Sequence, residues 1–317
     1  MCVVAVKNIK GYGWVGAKNR DRNYDTSVEI VRSTREDLQR IYIDDKLSRW
    51  TEGLNEYGVS ILSASFSVKS DEKEGEDIRD RRLAMRSREN YYSPDGRAIR
   101  KALFEKTPEA AAKKLIAHEL AGATYIFTKD KCYLLEGGFK VRKEGATKEN
   151  PRVYEYVLEE IKKEDCSCRT NHGISIPALG YMQDADDEDI DLARRSSESR
   201  YKIVSDSISK EMKNPSELLD ALSICPHKDT FMNPIRLGDV KKKEMTTTGQ
   251  LLLVPAERTL HYRPLNSSVN FSYNKINGPD AKVFFEIVSS RKLLAFREFY
   301  QQIRENGICK PNIQLAT

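Results

Sequence analysis

A Val-rich alternation opens the chain at residues 2–7, Gly11-Tyr12-Gly13 supplies a turn, and residues 14–17 read as a second strand, so a hairpin begins at residue 2. Alternating apolar and polar positions recur at 27–32, 39–44 and 58–66, which makes the first 70 residues predominantly β. The spacing turns helical at 95–105 and 108–120, with Thr107 placed as N-cap and Pro108 at the first helical position. Strands return at 123–127 and 132–135, and Lys129-Asp130-Lys131 between them makes a second hairpin. Beyond a stretch with no clear period, 197–212 and 215–222 read as helices. Asn214, Pro215 and Glu217 fit N-cap, first helical residue and capping-box acid of the latter. Segments 246–254, 259–263 and 282–288 predict further strands, and 291–304 a closing helix. Strands, helices, strands and helices in that order predict an α+β protein with sheets in the middle and helices outside.

Composition narrows the class. Hydrophobic residues make up 39% and charged residues 32% of the 317, which fits a soluble globular chain and excludes a disordered or fibrous one. With no repeat and no low-complexity linker, residues 1–317 are expected to form one domain. The longest apolar runs, such as 249–254, fall far short of the roughly 18 residues that cross a bilayer, so no membrane partner is expected. Lys7 and Lys10 interrupt the apolar start, so no secretory signal is read and the cytoplasm is the expected compartment. The net charge of +5 is spread among both signs, without an aromatic-plus-basic motif, and implies no nucleic acid. The dense charged run at 71–88 mixes signs as a solvated face does.

Six cysteines are too few for a disulfide scaffold in a chain this long, so reduced thiols are expected. Cys166 and Cys168 form a C-x-C with no second pair at zinc-finger spacing; a strand with two small residues is the plainer reading. The acidic run at 184–189 lacks the glycine and terminal glutamate of a calcium loop and reads as a helix start, where acidic residues meet the positive end of the dipole. No metal and no cofactor is expected.

The chemistry gathers at the beginning of the chain. Removal of Met1, normal before a small residue, leaves Cys2 with a thiol and a free α-amino group, so one residue supplies both nucleophile and base. Position 2 alone decides nothing, since a free cysteine also serves as a small buried hydrophobe. Lys18-Asn19-Arg20-Asp21 at the end of the second strand then places a carboxylate where it can face residue 2 across the sheet.

This segment is similar to the choloylglycine hydrolase and penicillin V acylase group of N-terminal-nucleophile hydrolases, and more loosely to acyl-coenzyme A:6-aminopenicillanate acyltransferases. In that group the N-terminal cysteine is followed at the same spacing by Arg-Asn-x-Asp. Lys18 stands where the arginine would be, keeping its charge but losing its planar fork, while Asn19 and Asp21 match. The resemblance implies that Asp21 orients the α-amino group of Cys2.

Residues 52–59 resemble the group's Gly-Met/Leu-Asn-Glu-x-Gly turn, and the strand after it ends in Ser65-Phe66, where the group has asparagine or tyrosine. The resemblance makes the Ser65 N–H an oxyanion donor. Thr170-Asn171-His172 is similar to the group's Thr-Asn-Ser element and makes the Asn171 amide the second donor; a turn cap before Gly173 is the alternative. His172 then lines the pocket. Ser199-Arg200-Tyr201 and Thr246-Thr247-Thr248 resemble the start of a core helix and a late strand, and Arg236 is the candidate for an arginine beside the cysteine, a surface-loop arginine being its alternative.

The likeness runs through about residues 2–265. It implies a four-layer αββα sandwich of two antiparallel sheets between helical layers, a small-molecule linear amide as substrate, and a homo-oligomer, dimer or tetramer. Two other functions stay open: an acyltransferase using the same acyl-enzyme, and an inactive scaffold that keeps the fold for binding or assembly, to which Lys18 and Ser65 point. A Cys-His protease fits less well, because no histidine stands in a nucleophile context.

Overall fold

The structure, a computed structural model, describes residues 2–24, 26–35, 38–66, 94–140, 153–177, 179, 188–238, 242, 244–265, 267–275 and 287–288. The charged run at 71–88, acidic residues 184–187, the helix expected at 291–304 and Cys309 lie outside the described residues.

The chain opens with the hairpin of β1 (Cys2–Ile9) and β2 (Gly13–Arg22), then continues through β3 (Thr26–Arg35), β4 (Leu38–Asp45), β5 (Thr51–Asn55) and β6 (Ser60–Ala64). Helices α1 (Pro94–Ala102) and α2 (Pro108–Ala117) precede β7 (Gly122–Phe127), β8 (Cys132–Lys140), β9 (Val153–Ile161) and β10 (Cys166–Arg169). Then come α3 (Glu188–Ile208), α4 (Ser216–Ala221), β11 (Thr246–Val254), β12 (Thr259–Pro264), β13 (Ser267–Lys275) and β14 (Ile287–Val288).

Among the described residues, six strands in the order β10-β1-β2-β11-β12-β14 form one sheet, and eight in the order β13-β3-β4-β5-β6-β7-β8-β9 form the other. Neighbours are antiparallel except at the edges, where β14 joins β12 and β13 joins β3 in parallel. Side chains alternate across each strand, so each sheet has two apolar faces to cover. Val4, Val6 and Trp14 of the first sheet meet Val28, Ile30, Leu62, Tyr125 and Phe127 of the second in a shared core. The opposite face of the first sheet, with Val3, Ala5, Val15 and Ala17, packs on Val204 and Ile208 of α3 and Leu218 and Leu219 of α4. The outer face of the second sheet, with Ile61 and Ile126, packs on Ala98, Ile99, Ala111 and Leu115 of α1 and α2. The layers are therefore helix, sheet, sheet and helix.

Local chemistry explains the boundaries. Thr107 Oγ1 accepts from the Ala110 N–H at 3.2 Å and caps α2, whose first residue is Pro108. At α4, Asn214 Oδ1 accepts from the Ser216 N–H at 3.1 Å and Glu217 accepts from the Lys213 N–H at 3.2 Å, so the expected capping box is not formed: the acid reaches one residue past Asn214, and Pro215 stands at the N-cap with no side-chain cap. Residues 52–55, expected as part of a turn, belong to β5 instead, because Thr51 to Asn55 pair along β4 before the chain turns. Asn55 Oδ1 accepts from the Tyr57 and Val59 N–H groups at 3.0 Å, and its amide reaches the carbonyls of Leu103 and Glu105. Cys166 and Cys168 lie on β10 against α3, Cys168 donating to the Tyr201 carbonyl at 3.5 Å. No helix among the described residues is long and apolar enough to cross a membrane.

Candidate active site at the start of the first strand

Cys2 begins β1 and is 3% exposed. The register sets it opposite Arg20 on β2, so by alternation Lys18, Arg20 and Arg22 share its face, turned toward the second sheet, while Asn19 and Asp21 face the helices. Three cations thus line one edge of the inter-sheet layer beside a thiol.

The second sheet answers with two buried carboxylates. Lys18 Nζ donates to Glu52 Oε1 of β5 and, at 2.5 Å, to the Ser63 carbonyl of β6. Arg20 Nη2 lies 3.3 Å from Asp45 Oδ2 at the end of β4, and its Nε lies 3.8 Å from Glu52 Oε2. Arg22 Nε lies 3.4 Å from the same Asp45 oxygen, and its Nη1 lies 3.6 Å from Cys2 Sγ. Asp45 also accepts from the Leu47 and Ser48 N–H groups at 3.1 Å and from the Tyr24 hydroxyl at 3.2 Å. Burial pushes its carboxyl up, yet Arg20, Arg22 and those N–H groups hold it below the ordinary carboxylate range.

Cys2 responds to the same charges. Burial pushes its thiol up, but Lys18, the chain's amino terminus and Arg22 outweigh burial, with Asp21 opposing, and bring it down from 9.0 to about 7. Cys132 and Cys168, also buried, go the other way: burial raises both, Cys168 to about 12. Burial is common to the three thiols, so Lys18 and Arg22 of β2, together with the amino terminus, make the difference.

On the helical face, Asp21 Oδ1 accepts from the Thr247 hydroxyl at 2.8 Å, and its Oδ2 lies 3.7 Å from both Arg200 Nη1 and Arg236 Nε. A bulge between Thr247 and Gly249 of β11 turns Thr247 toward Asp21; at Gly249 a Cβ would come within 2.2 Å of the Tyr262 hydroxyl oxygen. Arg200, on α3, also donates to the Cys2 carbonyl and to Asn171 Oδ1, both at 3.2 Å. Asn19 is a clip: its amide donates to the Leu222 and Pro234 carbonyls at 2.7 and 2.8 Å, and its Oδ1 accepts from Gln250 at 2.9 Å.

The third part comes from the loop after β10. Asn171 Oδ1 accepts from the Cys2 N–H at 2.9 Å, and Asn171 Nδ2 donates to the Ser65 carbonyl at 2.6 Å. The loop is fixed from two sides. Ser197 of α3 accepts from the Asn171 N–H at 2.9 Å, and Glu136 of β8 accepts from the Ile174 and Ile176 N–H groups at 2.8 and 2.7 Å while facing Arg169 at 3.4 Å. His172 Nδ1 sits 2.9 Å from Ser197 Oγ; burial, then Arg200 and Arg169, pull its pKa down to about 4, so the ring is neutral near pH 7.

Of the residues expected at the site, Cys2, Lys18, Asp21, Ser65, Asn171 and Arg236 therefore occupy one connected region, though on two faces of the first sheet. Lys18 is held by Glu52 rather than reaching the thiol directly, and Arg236 meets Asp21, stacks over Phe231 at 4.0 Å and bonds Ser196 at 2.7 Å. The nitrogen of Cys2 rests on Asn171, while Asp21 takes Thr247 and the two arginines. Sequence reasoning missed Arg22 at the thiol and the partners Glu52 and Asp45. A signal existed: cations at 18, 20 and 22 follow the strand period on the face that Cys2 shares.

No protein-family model matches the chain, and no curated protein matches it. Among solved structures it is similar to a Caenorhabditis elegans ortholog of N-acylethanolamine-hydrolyzing acid amidase, with 10% identity and a TM-score of 0.45 over 80% of this chain and 93% of that one. It is similar to a penicillin V acylase from Agrobacterium tumefaciens, with 10% identity and a TM-score of 0.39 over 83% and 86% of the two chains. A mutant of the conjugated bile acid hydrolase from Clostridium perfringens gives 12% and 0.42 over 83% and 89%. With TM-scores below 0.5, none of these likenesses bears on the chemistry, which rests on this chain's own residues.

Proposed function

We propose that the chain is an N-terminal cysteine amidohydrolase that cleaves a linear amide through an acyl-enzyme on Cys2. One observation carries the reading: Cys2 is a buried thiol brought down to about 7, and its own nitrogen is held by Asn171 Oδ1. Cleavage of the Met1–Cys2 bond turns that nitrogen into an amine within one residue of the sulfur.

The thiolate attacks the amide carbonyl, and the oxyanion is held by the second Asn171 Nδ2 proton and the Ser65 N–H. The C–N bond breaks as the α-ammonium of Cys2 gives its proton to the leaving nitrogen. Water then attacks the thioester, loses a proton to the α-amine, and releases the acid and the free thiolate. Arg200 joins Cys2, Asn171 and Asp21 in one network and so fixes the orientation of the amine. Lys18 contributes field, not contact.

The burial of Cys2, 3% exposed, is the observation that favours the second reading, a scaffold that binds without turnover. Intact mass before and after a limiting dose of a thiol alkylating reagent, with Cys2→Ala as control, separates the two. Loss of the Met1 mass with one rapid adduct on Cys2, followed by turnover within a panel of acyl amides, supports the hydrolase. Retained Met1, or a Cys2 no more reactive than the other cysteines, overturns it.

A further inference from the structure

The strand that carries Lys18 and Asp21 continues to Arg22, and its guanidinium is the cationic group in contact with the sulfur. We propose that Arg22 is a catalytic residue that holds Cys2 as a thiolate and shields that anion as it forms and as it is released from the acyl-enzyme.

The geometry points one way. Arg22 Nη1 lies 3.6 Å from Sγ, while its Nε is anchored 3.4 Å from Asp45 Oδ2 and its Nη1 also donates to the Asp21 carbonyl at 2.7 Å. Two fixed points leave the fork little freedom, so its third contact, the sulfur, is set by the backbone. Asp45 is itself fixed by Arg20, Tyr24 and the Leu47 and Ser48 N–H groups, so it acts as a rigid post.

Charge counting agrees. On this face Lys18, Arg20 and Arg22 stand against Glu52 and Asp45, three buried or half-buried cations against two buried carboxylates. Arg20 Nη1 has no hydrogen-bond partner among the described residues. The surplus positive charge sits beside Cys2, and a thiolate there neutralises it without an external ion. The other groups facing the residue do not replace Arg22: Lys18 acts through its field from its place on Glu52 and the Ser63 carbonyl, Arg200 bonds the Cys2 carbonyl on the helical side, Asp21 opposes the thiolate, and Arg169 of β10 is engaged with Glu136 of β8. The amino group of Cys2, once freed, shares the field but changes its charge during turnover.

This inference rests on Cys2 as the nucleophile, and its test separates the two. The rate of alkylation of Cys2 by iodoacetamide is measured against pH for the whole protein, for Arg22→Gln and for Arg22→Lys, with Cys2→Ala subtracting the other thiols. Removing Arg22 leaves Asp45 four further donors, so no orphan carboxylate is created. For Arg22→Gln the midpoint should rise by about one to two pH units and the rate at pH 7 should fall by about tenfold. Arg22→Lys should fall between the two, and amide turnover should follow the same order. If Arg22→Gln does not fold, the Arg22→Lys profile carries the test, because loss of the fork raises the midpoint. A midpoint near 7 that neither substitution moves overturns the role of Arg22 and leaves the nucleophile standing. A midpoint that depends on Arg22 in a protein that turns over no amide keeps Arg22 as the group that holds the thiolate and overturns the hydrolase reading, and with it the part of Arg22 in turnover.

Discussion

Cys2, Cys132 and Cys168 have the same side chain and nearly the same burial, and they differ in what stands within reach of the sulfur. Where burial acts alone, as at Cys132, the thiol rises; where Lys18, the amino terminus and Arg22 stand near it, the thiol falls to about 7. That shift is also a statement about stability. The folded thiol releases its proton near 7 and the unfolded one near 9.0, so between those values the unfolded chain binds more protons and stability rises with pH. The contribution, about 2–3 kcal/mol as an order of magnitude, is fully present above about pH 9 and is lost as pH falls through about 7. Urea unfolding of the wild type and of Cys2→Ala at pH 7 and pH 9 checks it: the wild type should gain on the variant toward pH 9. Cys132 and Cys168 act in the opposite sense, but they are common to both proteins and cancel in the difference. Parallel curves would remove the charge argument at its root.

At the scale of an element, the candidate site depends on how the loop at 170–177 is held. Its N–H groups point into the protein, where water cannot satisfy them, and Glu136 of β8 supplies the acceptor for two of them while balancing Arg169 of β10. One carboxylate therefore joins the edge of the first sheet, a strand of the second and the loop that carries Asn171. The end of β6, which presents Ser65, is tightened by Gly122, whose φ is +145° and where a Cβ would come within 2.4 Å of the Ala64 carbonyl oxygen, so a side chain is excluded there. Glu136→Gln keeps the shape and removes the charge; it should cost about 3–5 kcal/mol by leaving Arg169 without its carboxylate. It should also lower kcat more than it raises KM, because it displaces an oxyanion donor and not a binding surface. Unfolding and kinetics measured on the same preparation test both statements, and a stable variant with unchanged kcat would show that Ser197 and Arg200 hold Asn171 without Glu136.

Over the whole molecule, three apolar layers alternate with the two sheets, and each sheet contributes to two of them. A strand cannot leave one layer without opening the next, so the layers should unfold together. Leu62→Ala in the central layer and Ile99→Ala in the layer under α1 should each cost about 2–5 kcal/mol and shift one common melting transition. A second transition appearing in either variant would show that the layers are separate cooperative units.

The hairpin at residue 2, the cap at Thr107, and the run of strands and helices were legible from the sequence because they depend on local periods and local hydrogen bonds. So was the placing of Cys2 and Lys18 on one face, since one hairpin and one alternation put them there, whereas the same alternation turns Asp21 to the helical face and leaves the Cys2 nitrogen to Asn171. β5 was not legible, because its sequence suits a turn and the long pairing partner on β4 turns it into a strand. Nor were β9 and β13, where pairing with β8 and β3 supplies what the local pattern lacks. The thiol's neighbours follow the same division. Arg22 could have been read from the strand period, but Asp45 and Glu52, which decide where the cations point, lie in another sheet. Distances across a sandwich are set by the packing of both sheets at once, and no local stretch of sequence contains them.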